Sequence, residues 1–406
     1  MKRRDFLRTS SAATLAIIAA RKFEAYASPE ASEVKNEASK VFFTKYISPA
    51  GMMAAYAALE RTLPGKVAVK VSTGEPGSNY LAPTLIKDLV QSVSGTIVEC
   101  NTAYMGQRSS SANHKQVAAN HGFTAIAAVD IMDENGTMSL PFAAGKNITE
   151  DIVGSHFKDY QSFLVLSHFK GHAMAGFGGA MKNISIGIGS VEGKCWIHSG
   201  GKSRTSPWGG AQTPFLESMA EAGGAVMNSL NGNILFINVM NKLSIDCDCD
   251  GHPHAPELDD IGILSSTDPV ALDKACVDLI YAADATKRAS LVHRMEQQNG
   301  IHCLNHAASL GLGSLTYQLV DLDDNTAIEH ISGSNDLFTV YPNPIYDQIN
   351  VTGGDIQSIT LTSINGSQLY QTSENKINFQ NYPAGLYLLN IKGKRGEKVV
   401  KKIIKR

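Results

Sequence analysis

The sequence is short of net charge and of long apolar runs, and each shortage excludes a class of protein. Lys and Arg number 36 against 38 Asp and Glu, a net charge of -2, so no global field favours nucleic acid or a membrane surface as a partner. The apolar run near the N-terminus covers residues 12–20, whereas a helix that crosses a bilayer needs roughly 20 apolar residues. We therefore expect no nucleic-acid partner and no stable transmembrane anchor.

Cysteine is also scarce. The six cysteines lie at positions 100, 195, 247, 249, 276 and 303, which is too few for a disulfide scaffold. No two of them have C-x-x-C spacing, so the ligand pattern of a ferredoxin or a zinc ribbon is absent. The length of 406 residues, with 43 % hydrophobic residues, is sufficient for roughly two or three domains with their own cores.

Residues 1–27 have the pattern of an export signal. Met1–Arg4 is basic, residues 12–20 are apolar, and Ala25-Tyr26-Ala27 fits a small-x-small cleavage site. Arg3-Arg4-Asp5-Phe6-Leu7 resembles a twin-arginine signal, which implies the twin-arginine translocon as a partner and export of an already folded domain. A general secretory signal with chance arginines is the alternative.

Residues 41–332, after a polar linker at 28–40, alternate between β-like apolar runs and helical patterns. Ser48-Pro49 and Asp268-Pro269 each place a capping side chain before a proline at the first helical position. Near-continuous apolar runs are typical of strands covered on both faces, so we predict an α/β fold with a mostly parallel, layered sheet. The strand candidates are Lys66–Ser72, Thr96–Asn101, Phe163–Phe169, Ile184–Gly189 and Asn233–Met240.

Residues 337–406 contain short alternating runs separated by turns, which predicts a small antiparallel β-sandwich. This segment resembles the type A sorting domain of type IX secretion, which implies recognition by that machinery, release or retention at the cell surface and, in general, removal of the module. A carbohydrate-binding or adhesive sandwich is the alternative, since sandwiches serve many functions. The motifs that carry the resemblance are Val340-Tyr341-Pro342-Asn343-Pro344, Asn365-Gly366, Tyr382-Pro383-Ala384-Gly385-Leu386-Tyr387 and Lys401-Lys402.

Two segments of the central domain favour a small anionic ligand. Lys70, Glu75 and Arg108 lie in or beside loops that follow predicted strands, where α/β proteins bind ligands. Lys170 and Lys182 belong to a glycine-rich stretch, residues 167–183, and complete the candidate ligand-binding set. The alternatives are solvated loop charges and an ordinary glycine turn.

A metal site is predicted from the same stretch and from residues 246–260. His168 and His172 flank Lys170, and ten of the fifteen residues from 246 to 260 are Asp, Glu, Cys or His. Cys247 and Cys249, too closely spaced for an easy mutual disulfide, could direct both sulfurs to one zinc, iron or nickel ion, together with His168, His172, His252 or His254. The stretch also matches the EF-hand pattern, so a calcium site is one alternative. A purely structural acidic loop is another.

From Val41 to Leu319 the chain resembles the family catalogued as domain of unknown function 362, whose members are often labelled iron–sulfur centre proteins. Many relatives carry a ferredoxin-like insert, but here Gly193–Trp208 contains only Cys195, so an iron–sulfur cluster is not expected. The motifs that carry the resemblance are Gly74-Glu75-Pro76, Asn101-Thr102-x-Tyr104-x-Gly106-x-Arg108, Ser167–Asn183, Cys247-Asp248-Cys249, Asp260-Ile261-Gly262-Ile263, Ser266-Thr267-Asp268-Pro269 and Leu310–Ser314.

The sequence thus predicts an exported surface or secreted protein that reaches the outside through the periplasm. Its central domain would bind a metal and act, by redox or metal-dependent chemistry, on a small anionic ligand. A non-catalytic metal- or ligand-binding surface protein is the competing hypothesis.

The export signal is tested by replacing Arg3 and Arg4 with Lys. We expect the precursor to remain inside the cell, because the twin-arginine route requires the arginine pair, and fractionation with immunoblotting measures this. Normal export of the double variant would leave the general secretory route as the explanation.

The sorting segment is tested by ending the chain near Asn335. We expect the truncated protein to fold, because its core lies upstream, and to accumulate in the periplasm. Surface levels equal to those of the full chain would contradict the sorting function.

Overall fold

The computed structural model describes residues 38–323, 338–363, 368–396 and 398–405. The predicted signal peptide and residues 28–37 of the predicted linker lie outside the described residues. The chain divides into two compact units, one up to residue 325 and one from residue 326. Strand β1 of the first unit begins at Ser39, two residues inside the segment predicted as linker.

The first unit contains twelve strands and nine α-helices among its described residues. None of these helices, within the described part of the chain, is both long and apolar enough to cross a membrane. The strands are β1 Ser39–Thr44, β2 Val67–Lys70, β3 Thr96–Glu99, β4 Val129–Ile131, β5 Thr137–Pro141, β6 Glu150–Gly154, β7 Ser162–His168, β8 Lys170–His172, β9 Gly176–Gly178, β10 Ile234–Met240, β11 Gly262–Ser266 and β12 Tyr317–Asp321. The helices are α1 Pro49–Ala57, α2 Pro83–Ser92, α3 Ser111–Asn120, α4 Ala180–Ile184, α5 Val191–His198, α6 Gln212–Leu230, α7 Pro269–Ala282, α8 Ala289–Gln297 and α9 Ile301–Ser309.

Eight of these strands form one sheet in the order β12-β1-β11-β10-β7-β2-β3-β4. The five strands from β10 to β4 are mutually parallel, and β11 alone runs antiparallel to both of its neighbours. Strands β5 with β6 and β8 with β9 form separate antiparallel hairpins. The prediction of an α/β fold with a mostly parallel sheet is confirmed.

Helices cover both faces of the sheet, so successive strand residues enter two different cores. In β7, Phe163 and Val165 pack with helices α4 to α9, whereas Leu164 and Leu166 pack with α1, α2 and α3. All four side chains are fully buried. This two-sided burial explains why the strand is continuously apolar and why its carboxyl end is the first place where polar groups can emerge.

The two capped helix starts are confirmed. The Ser48 hydroxyl accepts a hydrogen bond from the Gly51 N–H at 3.1 Å, and the Asp268 carboxylate accepts from Val270 and Ala271, both at 2.9 Å. Each side chain satisfies N–H groups that have no partner within the first helical turn.

The strand predicted at Ile184–Gly189 is wrong. The segment consists of the end of α4 followed by turns, with Gly187 N–H bonded to the Lys182 carbonyl and Gly189 N–H to the Ser185 carbonyl. Its alternation of isoleucine with serine and glycine imitates a strand because both conformations bury the isoleucines. The missing side chain of Gly187 admits the turn, since a Cβ there would lie 2.2 Å from the Asn183 carbonyl oxygen.

The second unit consists of two antiparallel sheets that share one core, so the predicted antiparallel module is confirmed. The sheets have the orders β13-β14-β17 and β16-β15-β18-β19, and the core contains Phe338 and Ile349 from the first with Leu361 and Leu389 from the second. The strands are β13 Phe338–Tyr341, β14 Gln348–Gly353, β15 Ile356–Ser363, β16 Gln368–Thr372, β17 Lys376–Asn378, β18 Gly385–Gly393 and β19 Lys398–Lys405.

Gly171 in β8 packs the glycine-rich hairpin against the loop between β10 and β11. Its N–H donates to the Ser244 carbonyl at 2.8 Å, and a Cβ would lie 2.3 Å from the Ile245 carbonyl oxygen.

We expect Gly171→Ala to lower the free energy of unfolding by about 1–3 kcal/mol, because the backbone must move to admit the methyl group. Denaturant unfolding measures this. Gly178→Ala is the matched control on the same hairpin, since its methyl would approach only the flexible Lys182 side chain; equal stability of the two variants would contradict the prediction.

Candidate functional site

A cavity of about 350 Å³ lies at the carboxyl ends of the parallel strands. Lys70 ends β2, Glu99 ends β3 and His168 ends β7, and all three line the cavity. The β8–β9 hairpin, α4, α5 and the loop after β10 complete the wall. The position follows from the fold, because polar groups at the ends of adjacent parallel strands converge at one edge of the sheet.

The cavity is basic. Five of its lining side chains are Lys or Arg, and two are carboxylates, Glu99 and Asp248. The sequence analysis predicted four of the five cations as ligand-binding residues. The cations are Lys70, Arg108, Lys170, Lys182 and Lys194.

Glu99 holds two of these cations in place. Its carboxylate accepts from Lys70 Nζ at 2.8 Å and from Arg108 at 3.2 Å, and all three side chains are buried. Burial raises the pKa of Glu99, but the charges of Lys70 and Arg108 and the nearby His114 ring outweigh it and hold the pKa well below its usual range. Glu99 is therefore ionised, and it compensates charges that burial alone would not tolerate.

Glu75 does not line this cavity. Its carboxylate accepts from Arg108 Nε at 3.1 Å and from the Tyr104 hydroxyl at 3.0 Å, and it borders a second, more open cleft of about 810 Å³. The structure therefore places Glu75 behind Arg108 as seen from the basic cavity, where it orients the guanidinium.

Asp248 compensates Lys170 and His168. Its carboxylate forms an ion pair with Lys170 and lies 3.2 Å from His168 Nδ1, while His168 Nε2 faces the Asn241 carbonyl at 2.7 Å. Burial raises the pKa of Asp248, and the two basic neighbours lower it further than burial raises it. Both ring nitrogens of His168 face oxygen acceptors, so the ring acts as a donor and has no lone pair directed at a metal.

Lys182 and Lys194 have no carboxylate partner in the described part of the chain. Lys194 Nζ donates to the Gly189 carbonyl at 2.5 Å, whereas Lys182 Nζ makes no hydrogen bond to any described residue. Burial, followed by the charge of Lys70, lowers the pKa of Lys182 to about 8. Asp273 fixes the start of α4, which carries Lys182, by accepting from Ala180 and Met181 N–H at 2.7 and 2.9 Å.

Cys247 and Cys249 form a disulfide, although the sequence analysis expected their close spacing to disfavour a mutual disulfide. The loop that carries them is not a regular element, and the Cys249 N–H donates to the Cys247 sulfur at 3.2 Å, a turn that brings the two side chains together. Both cysteines line the basic cavity and also the open cleft. The pair therefore forms part of the wall between the two.

His172 is the histidine that the fold brings to this pair. One of its ring nitrogens and the two sulfurs lie within 4.8 Å of one another, a set compatible with a metal ion. Nδ1 accepts from Met174 and Ala175 N–H at 3.2 and 2.9 Å, and burial lowers the pKa of the ring well below its usual range. The neutral ring therefore carries its proton on Nε2, and it would have to rearrange to bind a metal.

The other predicted metal ligands are not part of this set. His254 is mostly exposed and pairs with Asp246 at 2.5 Å, and the His252 N–H donates to Asp250. Among the described residues, His172 with Cys247 and Cys249 is the sole group of three ligand atoms within that distance. The carboxylates of the EF-hand pattern are accordingly not gathered around a common centre.

Sequence reasoning missed Glu99, Lys194 and His198. Glu99 and Lys70 each lie two residues before the end of a predicted strand, Thr96–Asn101 and Lys66–Ser72, so the position of Glu99 was a usable signal. Lys194 and His198 lie four residues apart on α5, the segment where the expected insert is absent, and both line the cavity. Their spacing places them on one helix face, but nothing in the sequence indicates that this face is turned to the site.

Comparison with known proteins identifies a known module at the end of the chain. Residues 339–406 match the secretion system C-terminal sorting domain, which supports export to the cell surface or the extracellular space. No curated protein matches the chain.

Two solved structures resemble it weakly. The lactate racemase apoprotein from Thermoanaerobacterium thermosaccharolyticum has a TM-score of 0.35 at 13 % identity and covers 60 % of this chain and 57 % of its own. A structural-genomics protein from Thermotoga maritima has a TM-score of 0.33 at 12 % identity, with 56 % of this chain and 57 % of its own covered. The chain thus spans less than two thirds of either protein, and nothing about activity follows from these likenesses.

The family model of the domain of unknown function DUF362 matches residues 67–278, which is just over half of the 406 residues and includes most of the cavity wall. The chain belongs to the DUF362 family.

Proposed function

We propose that the DUF362 domain of this exported protein binds a small anionic ligand in the basic cavity and acts on it with the Cys247–Cys249 pair. The observation that carries the proposal is that one cavity contains both the cysteines and five Lys or Arg side chains against two carboxylates. The sorting domain at residues 339–406 supports a site of action at the cell surface or outside the cell, reached through the type IX machinery. Passage of the inner membrane through the twin-arginine translocon is proposed from the Arg3-Arg4 motif alone.

The anion-binding part rests on charge that the protein does not neutralise itself. Glu99 compensates Lys70 and Arg108, and Asp248 compensates Lys170. Lys182 and Lys194 remain, and both line the cavity. A carboxylate or phosphate supplies the anionic acceptor that neither amine has among the described residues, and charge-assisted hydrogen bonds are the strong ones.

The cysteine part has two chemical forms. The disulfide accepts two electrons on reduction, and the resulting thiolates suit zinc, iron or nickel. With His172 they offer three ligand atoms within 4.8 Å, but the ring must first give up its hydrogen bonds from Met174 and Ala175. A metal therefore requires reduction of the pair and either rotation of the ring or transfer of its proton from Nε2 to Nδ1, whereas thiol–disulfide exchange starts from the disulfide and leaves the ring in place.

A non-catalytic surface protein is the second candidate. It is favoured by the ion-paired state of Lys70, Arg108 and Lys170, which makes much of the wall rigid. Under this candidate the ligand binds but the cysteines exchange no electrons with it.

Anion binding is tested by titrating inorganic phosphate and pyruvate into the purified protein in a calorimeter. We expect Lys182→Met combined with Lys194→Met to weaken binding by about tenfold or more, because each amine can contribute a charge-assisted hydrogen bond of roughly 1.5–3 kcal/mol. Lys87→Met, at an exposed position on α2, is the control and should bind normally. Equal affinity of all three proteins would contradict the proposal.

The cysteine states are tested by counting thiols and by elemental analysis. The unreduced, denatured protein should show four thiols, those of Cys100, Cys195, Cys276 and Cys303, and reduction should raise the number to six. We expect the reduced, folded protein to take up about one zinc, iron or nickel ion per chain, since thiolates bind such ions tightly.

Loss of that metal in the Cys247→Ser, Cys249→Ser double variant, with retention in Cys303→Ala, would assign the site. A reduced, folded protein that takes up no metal would exclude the metal form and leave the thiol–disulfide form.

A further inference from the structure

Lys182 differs from the other four cations of the cavity in having a free amine. Lys70 and Arg108 bind Glu99, Lys170 binds Asp248, and Lys194 donates to a backbone carbonyl. The Lys182 side chain is half-buried and lines the cavity, yet its Nζ donates to no described residue. An amine that is held in a cavity, fixed by a capped helix and left without an acceptor is available to a ligand.

His198 supplies a basic nitrogen in the same cavity. Its Nδ1 lies 2.7 Å from the Lys194 carbonyl oxygen, and because a carbonyl only accepts, Nδ1 carries the proton. Nε2 of the neutral ring then carries a lone pair, and it accepts no hydrogen bond from any described residue. The ring stacks on Phe215 with centroids 4.9 Å apart, which fixes its orientation.

The pKa values of Lys182 and His198 favour an uncharged amine and a neutral ring. Burial, and then the charge of Lys70, lowers the pKa of Lys182 to about 8, so a substantial fraction of the amine is uncharged in mildly alkaline solution. Burial, with a smaller contribution from Lys182, lowers the pKa of His198 to about 4, so the ring is neutral. Both side chains line the same cavity.

We infer that Lys182 forms an imine with a small carbonyl compound that carries a carboxylate or a phosphate, with Lys194 binding the anionic group and His198 moving the proton. The inference rests on the anion-binding part of the proposed function and names its substrate class. A simple anion would pair with the charged amine, whereas a 2-oxo acid or an aldehyde phosphate also presents an electrophilic carbon to it.

The step is balanced without a further reactant. The Lys182 ammonium passes one proton to His198 Nε2, and the freed Nζ lone pair attacks the carbonyl carbon, so that the C–N bond forms and the carbonyl π electrons move to oxygen. His198 returns that proton to oxygen, then takes a second proton from nitrogen and gives it to the hydroxyl, which leaves as water while the nitrogen lone pair forms the C=N bond. An ammonium group and a carbonyl compound are thus converted to an iminium ion and water, with no change of oxidation state.

The test is reductive trapping with cyanoborohydride, which reduces an iminium ion, using pyruvate in one arm and glyceraldehyde 3-phosphate in the other. Digestion and mass spectrometry locate the secondary amine. We expect a single dominant adduct on the peptide that contains Lys182, competed away by inorganic phosphate. The arm that labels at lower concentration identifies the carboxylate or the phosphate as the preferred anion.

Lys182→Arg is the matched variant, since it keeps the positive charge and removes the nucleophile. We expect it to lose the adduct at every pyruvate concentration, while Lys87→Arg, at an exposed position, keeps it. His198→Gln should slow trapping at saturating pyruvate, a condition under which weaker binding no longer limits the rate.

Phosphate binding with no adduct, or with adducts spread over surface lysines and unchanged in Lys182→Arg, would overturn the imine and leave the proposed anion-binding function intact. Absence of phosphate and pyruvate binding to the unmodified protein would overturn the anion-binding function itself.

Discussion

The buried Glu99 carboxylate holds the central domain's functional edge together. It lies at the end of β3 between Lys70, at the end of the neighbouring β2, and Arg108, from the loop that follows β3. It also accepts the Thr73 N–H at 2.8 Å, so it fixes the loop after β2 as well. Removal of one partner of such a buried set costs about 3–5 kcal/mol, because the other charges are left in a medium that cannot solvate them.

Because Glu99 compensates Lys70 and Arg108, it determines which positive charges remain available to a ligand. Each carboxylate in the wall is engaged, Glu99 with Lys70 and Arg108 and Asp248 with Lys170. The surplus of positive charge is thereby concentrated on Lys182 and Lys194, which lie on α4 and α5. The paired cations set the shape and potential of the cavity, and the unpaired amines are the ones that can respond to its contents.

The cysteine loop depends on the same edge. Asp248, between the two cysteines, is bound by Lys170 and His168, and its carbonyl accepts the Glu75 N–H at 2.8 Å. The sulfurs are therefore held at the wall between the basic cavity and the open cleft. A thiol from solution and a ligand in the cavity could each approach the pair from its own side.

The sequence by itself determined the layered α/β domain, the antiparallel module after it and the capped starts of α1 and α7, because these depend on local patterns. Two-sided burial makes strands such as Ile234–Met240 continuously apolar, and a capping side chain acts within one helical turn. Local patterns gave the wrong prediction at Ile184–Gly189. The alternation of apolar and small residues there suits a strand, but a tight turn over Lys70 buries the same isoleucines.

Only the tertiary structure decided which charges meet. Glu99, Lys194 and His198 joined the site, Glu75 was moved behind Arg108, and His252 and His254 remained outside the cysteine set. The spacing of residues along the chain fixes their order but not the distance between side chains from different strands and loops. Pairing, hydrogen-bond direction and the resulting proton positions of His172 and His198 depend on those distances, so they could be read only from the folded chain.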